Sequence, residues 1–333
     1  MYAMRSSSCL RRPISCLLSS VSFLLSSISF LLLSVSFVLT ACQLAPAPEA
    51  RQSQSTSPAI NPADAWFGFT DDTGSRLLML AGDALPTGEQ VRALQTAVCA
   101  EGRELAIRYV GFQKESPQSN GRQSAGNLKH DEGHLFDIQG ARAESGDTCL
   151  LVPSGYLQRY ALVRNEYSES ERRARQESYR LVNGQPDFDR TPFQARGEVA
   201  RAAIARIERE KKRQVRLYWL LHTAGTQQVA IVEFEPVGDD LLVSLVLTDA
   251  EQLAFLDMPA NRHDESRASC WRVDDSCRLN PEEMDVRAVL GGMGGPLLFY
   301  TAWGGEGQVI RLLQVQRGKL VEVKGAYRYQ VPL

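Results

Sequence analysis

The stretch QVAIVEFEPVGDDLLVSLVL, residues 228–247, decides the fold of this chain. Residues 228–235 and 241–247 are rich in branched and aromatic side chains, a composition typical of β-strands. Between them, Pro236 and Gly238 stand with two aspartates in a cluster of turn-forming residues. The stretch predicts two neighbouring strands joined by a turn, and it marks the last third of the chain as β-rich.

A similar order of strands recurs about 80 residues later. Residues 215–221 precede the stretch as a third strand, and the recurrence comprises residues 296–302, 308–316 and 319–323, with Arg317-Gly318 as a tight turn. Two three-strand meanders suggest a distant internal duplication. They fit a propeller fragment or one large antiparallel sheet, although two units are too few for a propeller.

The first half of the chain mixes strand and helix signals. Residues 66–80 predict a hairpin around the turn cluster at residues 71–74. Thr87 followed by Gln90 matches a capping box, which predicts a helix continuing to Cys99. Further strands are predicted at residues 104–112, 134–139 and 149–152, with a long polar loop over residues 113–131.

A clearer helix begins at Thr191, with Pro192 in its first turn and Gln194 completing a capping box. Its predicted apolar face consists of Val199, Ala203 and Ile207, and it runs to about residue 213. The expected fold class is α+β: antiparallel, β-rich meanders with two or three helices. These elements occupy a globular domain over residues 65–333, which is either one large domain or two subdomains divided near residues 190–213.

The segment Leu39-Thr40-Ala41-Cys42 ends a stretch of 28 residues, 14–41, that carries no charge. Three arginines precede this stretch, which is the charge order of an export signal. The segment resembles the lipobox of bacterial lipoproteins. The resemblance implies that residues 1–41 are a signal peptide, that Cys42 becomes the lipidated first residue of the mature protein, and that acyl chains such as palmitate anchor it.

The apolar run is longer than a typical signal, so an uncleaved transmembrane helix is the alternative. Its length comes from three tandem heptads, LLSSVSF, LLSSISF and LLLSVSF, over residues 17–37. Gln43 follows the cysteine where Asp often favours inner-membrane retention, so the resemblance implies the outer membrane. Residues 42–64 comprise the lipidated cysteine and a flexible tether rich in Ala, Pro, Ser and Gln.

Charge and cysteine content agree with an exported domain that does not bind nucleic acid. Without the three arginines of the leader, 34 basic residues face 39 acidic ones, a net charge of about −5. Basic residues are nevertheless dense in residues 206–216, RIEREKKRQVR. This segment is either a solvated helix end or a contact for anionic lipid headgroups or cell-wall polymer.

Besides the lipidated Cys42, four cysteines remain in the mature chain, an even number in an oxidising compartment. Four cysteines allow three pairings. The short separation of Cys270 and Cys277 favours their pairing, which leaves Cys99 with Cys149. Zinc binding by the four is the alternative, but the spacing of Cys270 and Cys277 differs from that of structural zinc sites.

The densest cluster of chemically active side chains is residues 129–134, KHDEGH, with Asp137 three residues later. On a helix, His130 and His134 would share a face and could bind a metal, with Asp137 as a third ligand. The zincin pattern needs Glu directly after the first histidine, and this chain has Asp131 there. The cluster is therefore either a solvated loop leading into a strand or a metal site.

Two functions remain open on the sequence. The first is a non-catalytic envelope lipoprotein, a binding or assembly module for an envelope protein or cell-wall partner, with no cofactor. The alternative is a periplasmic, metal-assisted hydrolase that uses His130 and His134. The nucleophile and phosphate-loop motifs Gly-x-Ser-x-Gly, Ser-x-x-Lys and Walker A do not occur in the chain.

Overall fold

The computed structural model describes residues 60–80, 86–168, 173, 181–182, 185–186, 198–264, 267–268, 281–292, 294–304 and 306–330. The predicted signal peptide, Cys42, the tether up to residue 59, the helix start at Thr191, and the pair Cys270 and Cys277 lie outside these residues. In the described part of the chain, no helix has the length and apolarity needed to cross a membrane.

The first six strands form a closed barrel. In chain order they are β1 (Trp66–Thr70), β2 (Arg76–Met79), β3 (Leu94–Cys99), β4 (Arg103–Gln113), β5 (Gly133–Gln139) and β6 (Thr148–Pro153). Their spatial order is β1-β2-β5-β4-β3-β6, and β6 pairs with β1 to complete the closure. Helix α1 (Gly88–Ala93) leads directly into β3.

Nine further strands follow one another across a large sheet. They are β7 (Tyr160–Val163), β10 (Val215–Ala224), β11 (Gln227–Phe234), β12 (Asp240–Thr248), β13 (Leu253–Asp264), β15 (Met284–Gly292), β16 (Leu297–Gly304), β17 (Gly307–Gln316) and β18 (Lys319–Tyr329). The order is β10-β11-β12-β13-β18-β17-β16-β15-β7. Two antiparallel four-strand meanders thus meet at β13 and β18, which pair in parallel.

The remaining elements are small. The strand β14 (Arg267–Ala268) pairs with β13, and β8 (Leu181–Val182) pairs with β9 (Gln185–Pro186). Two helices complete the described part: α2 (Tyr156–Arg159) and α3 (Glu198–Lys211). Four single-turn 3-10 helices occupy Pro62–Asp64, Ala100–Gly102, Leu128–His130 and Pro281–Glu283.

The predicted α+β class is wrong. The chain forms a closed six-stranded barrel and a large, nearly closed barrel-like sheet, with three helices in the described residues. The helix predicted from Thr87 does have its capping box, because the Thr87 side chain accepts from the backbone N–H of Gln90. It ends at Ala93, however, and residues 94–99 pair with β4 and β6 as a strand. Strand pairing there outweighs the helical spacing of the apolar residues.

Two cores fill the interiors of the barrel and the large sheet. The barrel interior contains apolar residues from every strand, among them Met79, Ile107, Phe136 and Leu151. The concave face of the large sheet forms the second core around Trp219 and residues of both meanders. Because the opposite face of these strands is also buried in places, their sequences read as continuous apolar runs.

A third core lies between the two sheets. The outer face of the barrel, with Phe67, Phe69 and Leu150, packs on the outer face of β15–β18, with Phe299 and Leu312. The rings of Phe67 and Phe299 stack with their centroids 5.8 Å apart. We call this region the inter-sheet contact.

Two arginines of the large sheet enter the inter-sheet contact. Arg287 forms an ion pair with buried Asp147 of the barrel. Arg328 is only 2% exposed and donates to the carbonyl oxygens of Gln123 and Gly146, at 2.7 Å each. Burial, together with the nearby charge of Arg287, lowers the pKa of Arg328 to about 9. The contact therefore contains one buried and one mostly buried cation, and both donate to acceptors of the barrel.

Helix α3 covers the outer face of β10–β12. Ala200, Ala203 and Ile207 are buried against this face, a spacing that places them along one side of the helix. Val199, which was predicted on the apolar face, is 45% exposed, and Ala200 takes its place. The C-terminal half of α3 extends beyond the face of β10–β12 that it covers, towards β13 and the β17–β18 turn.

Candidate functional site: a basic groove

The two histidines of the predicted metal cluster make separate contacts. His130 ends a 3-10 turn, and its Nδ1 lies 2.9 Å from the hydroxyl oxygen of Ser116. His134 lies on β5, where its Nδ1 is 3.2 Å from the hydroxyl oxygen of Tyr109. Burial lowers the pKa of His134, which favours its neutral form. Each ring is thus engaged by its own hydroxyl partner.

Asp137, the third predicted ligand, points to two cations. It forms ion pairs with Arg76 of β2, at 3.4 Å, and Arg108 of β4, at 3.2 Å. Within the described ranges, one group of three potential ligands has its atoms within 4.8 Å of one another: Cys99, Asp147 and Cys149. The structure therefore does not bring His130, His134 and Asp137 together as a ligand set.

The Cys99 and Cys149 sulfurs lie 2.09 Å apart, at bonding distance, on the adjacent strands β3 and β6. Both residues are buried in the barrel interior. A disulfide removes the thiolates that a metal would need, so this group is a cross-link rather than a ligand set.

A different site emerges beside α3. A groove of about 890 Å³ lies between the C-terminal half of α3, the start of β13 and the β17–β18 turn. This volume is within the range of small-molecule sites. We call it the basic groove, and its residues are Arg206, Arg209, Glu210, Lys211, Glu251, Leu253, Phe255, Leu256, Asp257, Arg317, Gly318, Lys319, Leu320 and Val321.

The β17–β18 turn places two cations on one side of the basic groove. Arg317 and Gly318 both have positive φ, 52° and 75°, and connect Gln316 to Lys319 as a two-residue hairpin turn. The carbonyl oxygen of Gly318 accepts from the Phe255 N–H at 3.1 Å, so the turn is attached to β13. Arg317 and Lys319 are therefore exposed on a turn that backbone bonds hold against the neighbouring strand.

Two cations of the basic groove hold its walls together. The ammonium of Lys211 lies 2.6 Å from the Asp257 carboxylate and 4.1 Å from the centroid of the Phe255 ring. Arg206 donates to the carbonyl oxygen of Asp249. These contacts connect α3 to β13 and to the loop before it. Both cationic side chains therefore already have an acceptor within the protein.

Three other cations have no such partner. Arg209, Arg317 and Lys319 are exposed and form no ion pair or side-chain hydrogen bond in the described part of the chain. Across the whole basic groove, five cations stand against the three carboxylates of Glu210, Glu251 and Asp257, a net formal charge of plus two. The groove is locally positive on a chain whose net charge is −2, an arrangement that attracts anions.

Apolar side chains lie beside the cations. Leu253 is half-buried beside the core under α3, and Val321 is 37% exposed. The ring of Phe255 carries the Lys211 ammonium on its face. The basic groove thus offers cationic and apolar surface next to each other.

Comparisons of this chain with protein-family models, with curated proteins and with solved structures find no match. Its function is therefore inferred from the chemistry of the residues themselves.

The sequence predicted only one wall of the basic groove. Residues 206–216 stand out as a dense basic segment, and Arg317-Gly318 as a turn. Nothing in the sequence indicates that these two segments, about 100 residues apart, line one groove. The pairing of β13 with β18 brings them together, and parallel pairing between distant strands leaves no local sequence signal.

Proposed function

We propose that this chain is a lipid-anchored protein of the bacterial envelope, held at the outer membrane through Cys42, with its β-rich part in the periplasm as a non-catalytic binding module. The module takes an anionic partner in the basic groove. The observation that carries the proposal is the set of three unpartnered cations, Arg209, Arg317 and Lys319, in one groove of an overall acidic chain.

The difference between the partnered and the unpartnered cations of the groove supports a binding function. Lys211 and Arg206 are already used to hold α3 against the sheet. Unpartnered guanidinium groups, by contrast, can donate to carboxylate or phosphate oxygens with two parallel hydrogen bonds. No contact favours the metal-assisted hydrolase, since Asp137 is engaged by two arginines and His130 by Ser116.

The anchoring part of the proposal is tested by metabolic labelling. Cys42→Ala should abolish incorporation of labelled palmitate and release the protein from its membrane fraction or leave it unprocessed. Labelling that persists in the variant would disprove lipidation at Cys42. The proposal that the groove binds an anion would not depend on that result.

The binding part is tested by retention of the full chain, held in phosphatidylcholine nanodiscs, on a phosphate-bearing matrix. The triple variant R209A/R317A/K319A should elute at markedly lower salt than the wild type, because it lacks the unpartnered cations. The control R92A/R103A/R142A removes three exposed arginines outside the groove, for the same change in net charge. Equal losses in both variants would reduce the effect to overall charge and reject the groove.

A further inference from the structure

We propose that the basic groove binds a single anionic amphiphile, a phosphate headgroup with an attached acyl chain, and this rests on the proposed function of the groove as an anion site. The inference specifies the ligand in three respects: its charge, its apolar part and its number of anionic groups. A separate feature of the groove carries each of them.

The negative charge of the proposed ligand is inferred from cations on two different elements of the protein. Arg209 comes from α3, whereas Arg317 and Lys319 come from the β17–β18 turn. A phosphate has several acceptor oxygens, and it can accept from a planar guanidinium in bidentate fashion and from an ammonium at the same time. Cations that approach from two walls suit such a compact, multiply accepting group.

The apolar part of the proposed ligand is inferred from the apolar side chains beside these cations. Leu253 and Val321 keep part of their surface in the groove. A bare phosphate would leave this surface in water, whereas an acyl chain laid along it would remove apolar area from water, which is favourable. The adjoining cationic and apolar surfaces therefore favour an amphiphile over inorganic phosphate.

The number of anionic groups is limited by the carboxylates in the same groove. Glu210 and Glu251 are exposed there and have no cation partner in the part of the chain described. A polyanionic chain threaded through the groove would meet these carboxylates and be repelled. The three unpartnered cations thus serve one anionic group rather than a row of them.

A flat anionic membrane is disfavoured by the same distribution of charge. The protein is acidic overall, and its positive surface here lines a concave groove rather than a protruding face. A bilayer surface contacts a protein broadly, so it would bring several headgroups against the exposed carboxylates of Glu210 and Glu251 as well as the cations. One headgroup entering the groove avoids that repulsion.

The test is calorimetric titration of the full chain in phosphatidylcholine nanodiscs, with empty nanodiscs as the blank. The probes are dihexanoyl phosphatidic acid, dihexanoyl phosphatidylcholine and inorganic phosphate. We expect phosphatidic acid to bind at least tenfold more tightly than either of the other two. The R209A/R317A/K319A variant should lose at least tenfold in that affinity, and the R92A/R103A/R142A control should lose less than twofold.

The apolar part has its own variant, Val321→Ser, at an exposed position, where a substitution usually changes stability little. This substitution should weaken phosphatidic acid binding severalfold and leave retention on the phosphate matrix unchanged.

The outcomes separate the two proposals. Phosphate binding as tight as phosphatidic acid, or an unaffected Val321→Ser variant, would overturn the amphiphile and leave a simple anion site in place. Binding to anionic vesicles without binding to the soluble lipid would overturn it in favour of membrane docking. If the triple variant and the control lose retention on the phosphate matrix equally, and no probe binds to the wild type, the anion site is rejected as well.

Discussion

The inter-sheet contact and the basic groove both depend on cationic side chains, but in opposite ways. In the inter-sheet contact, Arg328 is buried and the Arg287 side chain is only 16% exposed, and they meet a carboxylate and carbonyl oxygens of the barrel. Arg209 and Arg317 in the basic groove are exposed and meet no acceptor within the described ranges. Buried charge must be compensated inside the protein because desolvation is costly, whereas exposed charge remains available to a ligand.

The sharpest way to test this difference is to remove one partner of the buried ion pair. Arg287→Ala should lower the free energy of unfolding by about 3–5 kcal/mol, because it leaves the Asp147 carboxylate buried without its cation. The double variant D147A/R287A should recover part of that loss. The measurement is urea unfolding of the two single variants and the double variant, treated as a double-mutant cycle.

The matched control is Arg311→Ala, on the same sheet. Arg311 pairs with Glu322 at 3.2 Å, and both side chains are well exposed. Its loss should cost under about 1 kcal/mol, as for other surface ion pairs. Similar costs for Arg287 and Arg311 would contradict the distinction between the buried and exposed cations.

The second prediction concerns the cross-link inside the barrel. The Cys99–Cys149 disulfide closes a loop with a sequence separation of 50. Cys99→Ser together with Cys149→Ser should lower stability by about 2–4 kcal/mol, since the unfolded chain regains the entropy that loop closure removes. Unfolding with and without reductant measures the effect. A wild type whose stability does not respond to reductant would contradict it.

The third prediction concerns two buried titratable groups that act in opposite directions. His222 on β10 is 4% exposed, its Nε2 has no partner in the described residues, and burial lowers its pKa to about 4, against a smaller opposing effect of Glu166. As pH falls below about 6.5, the His222 ring is protonated in the unfolded state, whereas in the folded state it stays neutral until about pH 4. The stabilisation by neutral His222, about 3 kcal/mol in total, is therefore complete above pH 6.5 and is lost as pH falls to about 4.

Asp131 has the opposite effect on stability. It is 7% exposed, and burial raises its pKa to about 6, above its unfolded value of about 3.8. Its contribution is complete below pH 3.8 and is lost as pH rises through 6. The two groups offset each other, so wild-type stability should vary little between pH 4.5 and 6.

Substitution separates the two groups. Asp131→Asn should expose the loss of stability on acidification that His222 causes, and His222→Phe should give a chain that gains stability as pH falls from 6 to 4.5. Urea midpoints at pH 7, 6 and 4.5 provide the measurement. Parallel pH profiles for the two variants would contradict the assignment.

The smallest expected effect on stability belongs to the basic groove. Arg209→Ala, Arg317→Ala and Lys319→Ala should each change the free energy of unfolding by under about 0.5 kcal/mol, because these side chains are exposed and unpartnered in the part described. Combined in the triple variant R209A/R317A/K319A, the same changes should make the protein elute from the phosphate matrix at markedly lower salt. A loss of stability as large as that of Arg287→Ala would mean that these cations serve the fold and not a ligand.

Local features of the sequence predicted individual elements well. The opening stretch corresponds to β11 (Gln227–Phe234) and β12 (Asp240–Thr248), within one residue at each end. The capping box at Thr87 and the hairpin turn at Arg317 are also present. These features depend on residues a few positions apart, so a single sequence contains the information.

Two long strands were missed for identifiable reasons. The strand β13 contains Pro259 and several charged residues, and proline is unusual inside a sheet. The strand β15 ends in two glycines, Gly291 and Gly292, and glycine weakens a strand because it has no side chain to pack. In both cases, pairing with neighbouring strands outweighs weak local preference.

The sequence by itself determined the strands and turns around residues 228–247, the capped start of α1 and the basic segment of α3, because side-chain shape and backbone preference act over a few residues. Barrel closure, the burial of Arg328, the ion pair of Arg287 with buried Asp147, and the meeting of α3 with the β17–β18 turn were decided only by the tertiary structure. Each of these requires segments that are far apart in sequence to pair or pack, and local patterns do not specify the partner of a strand.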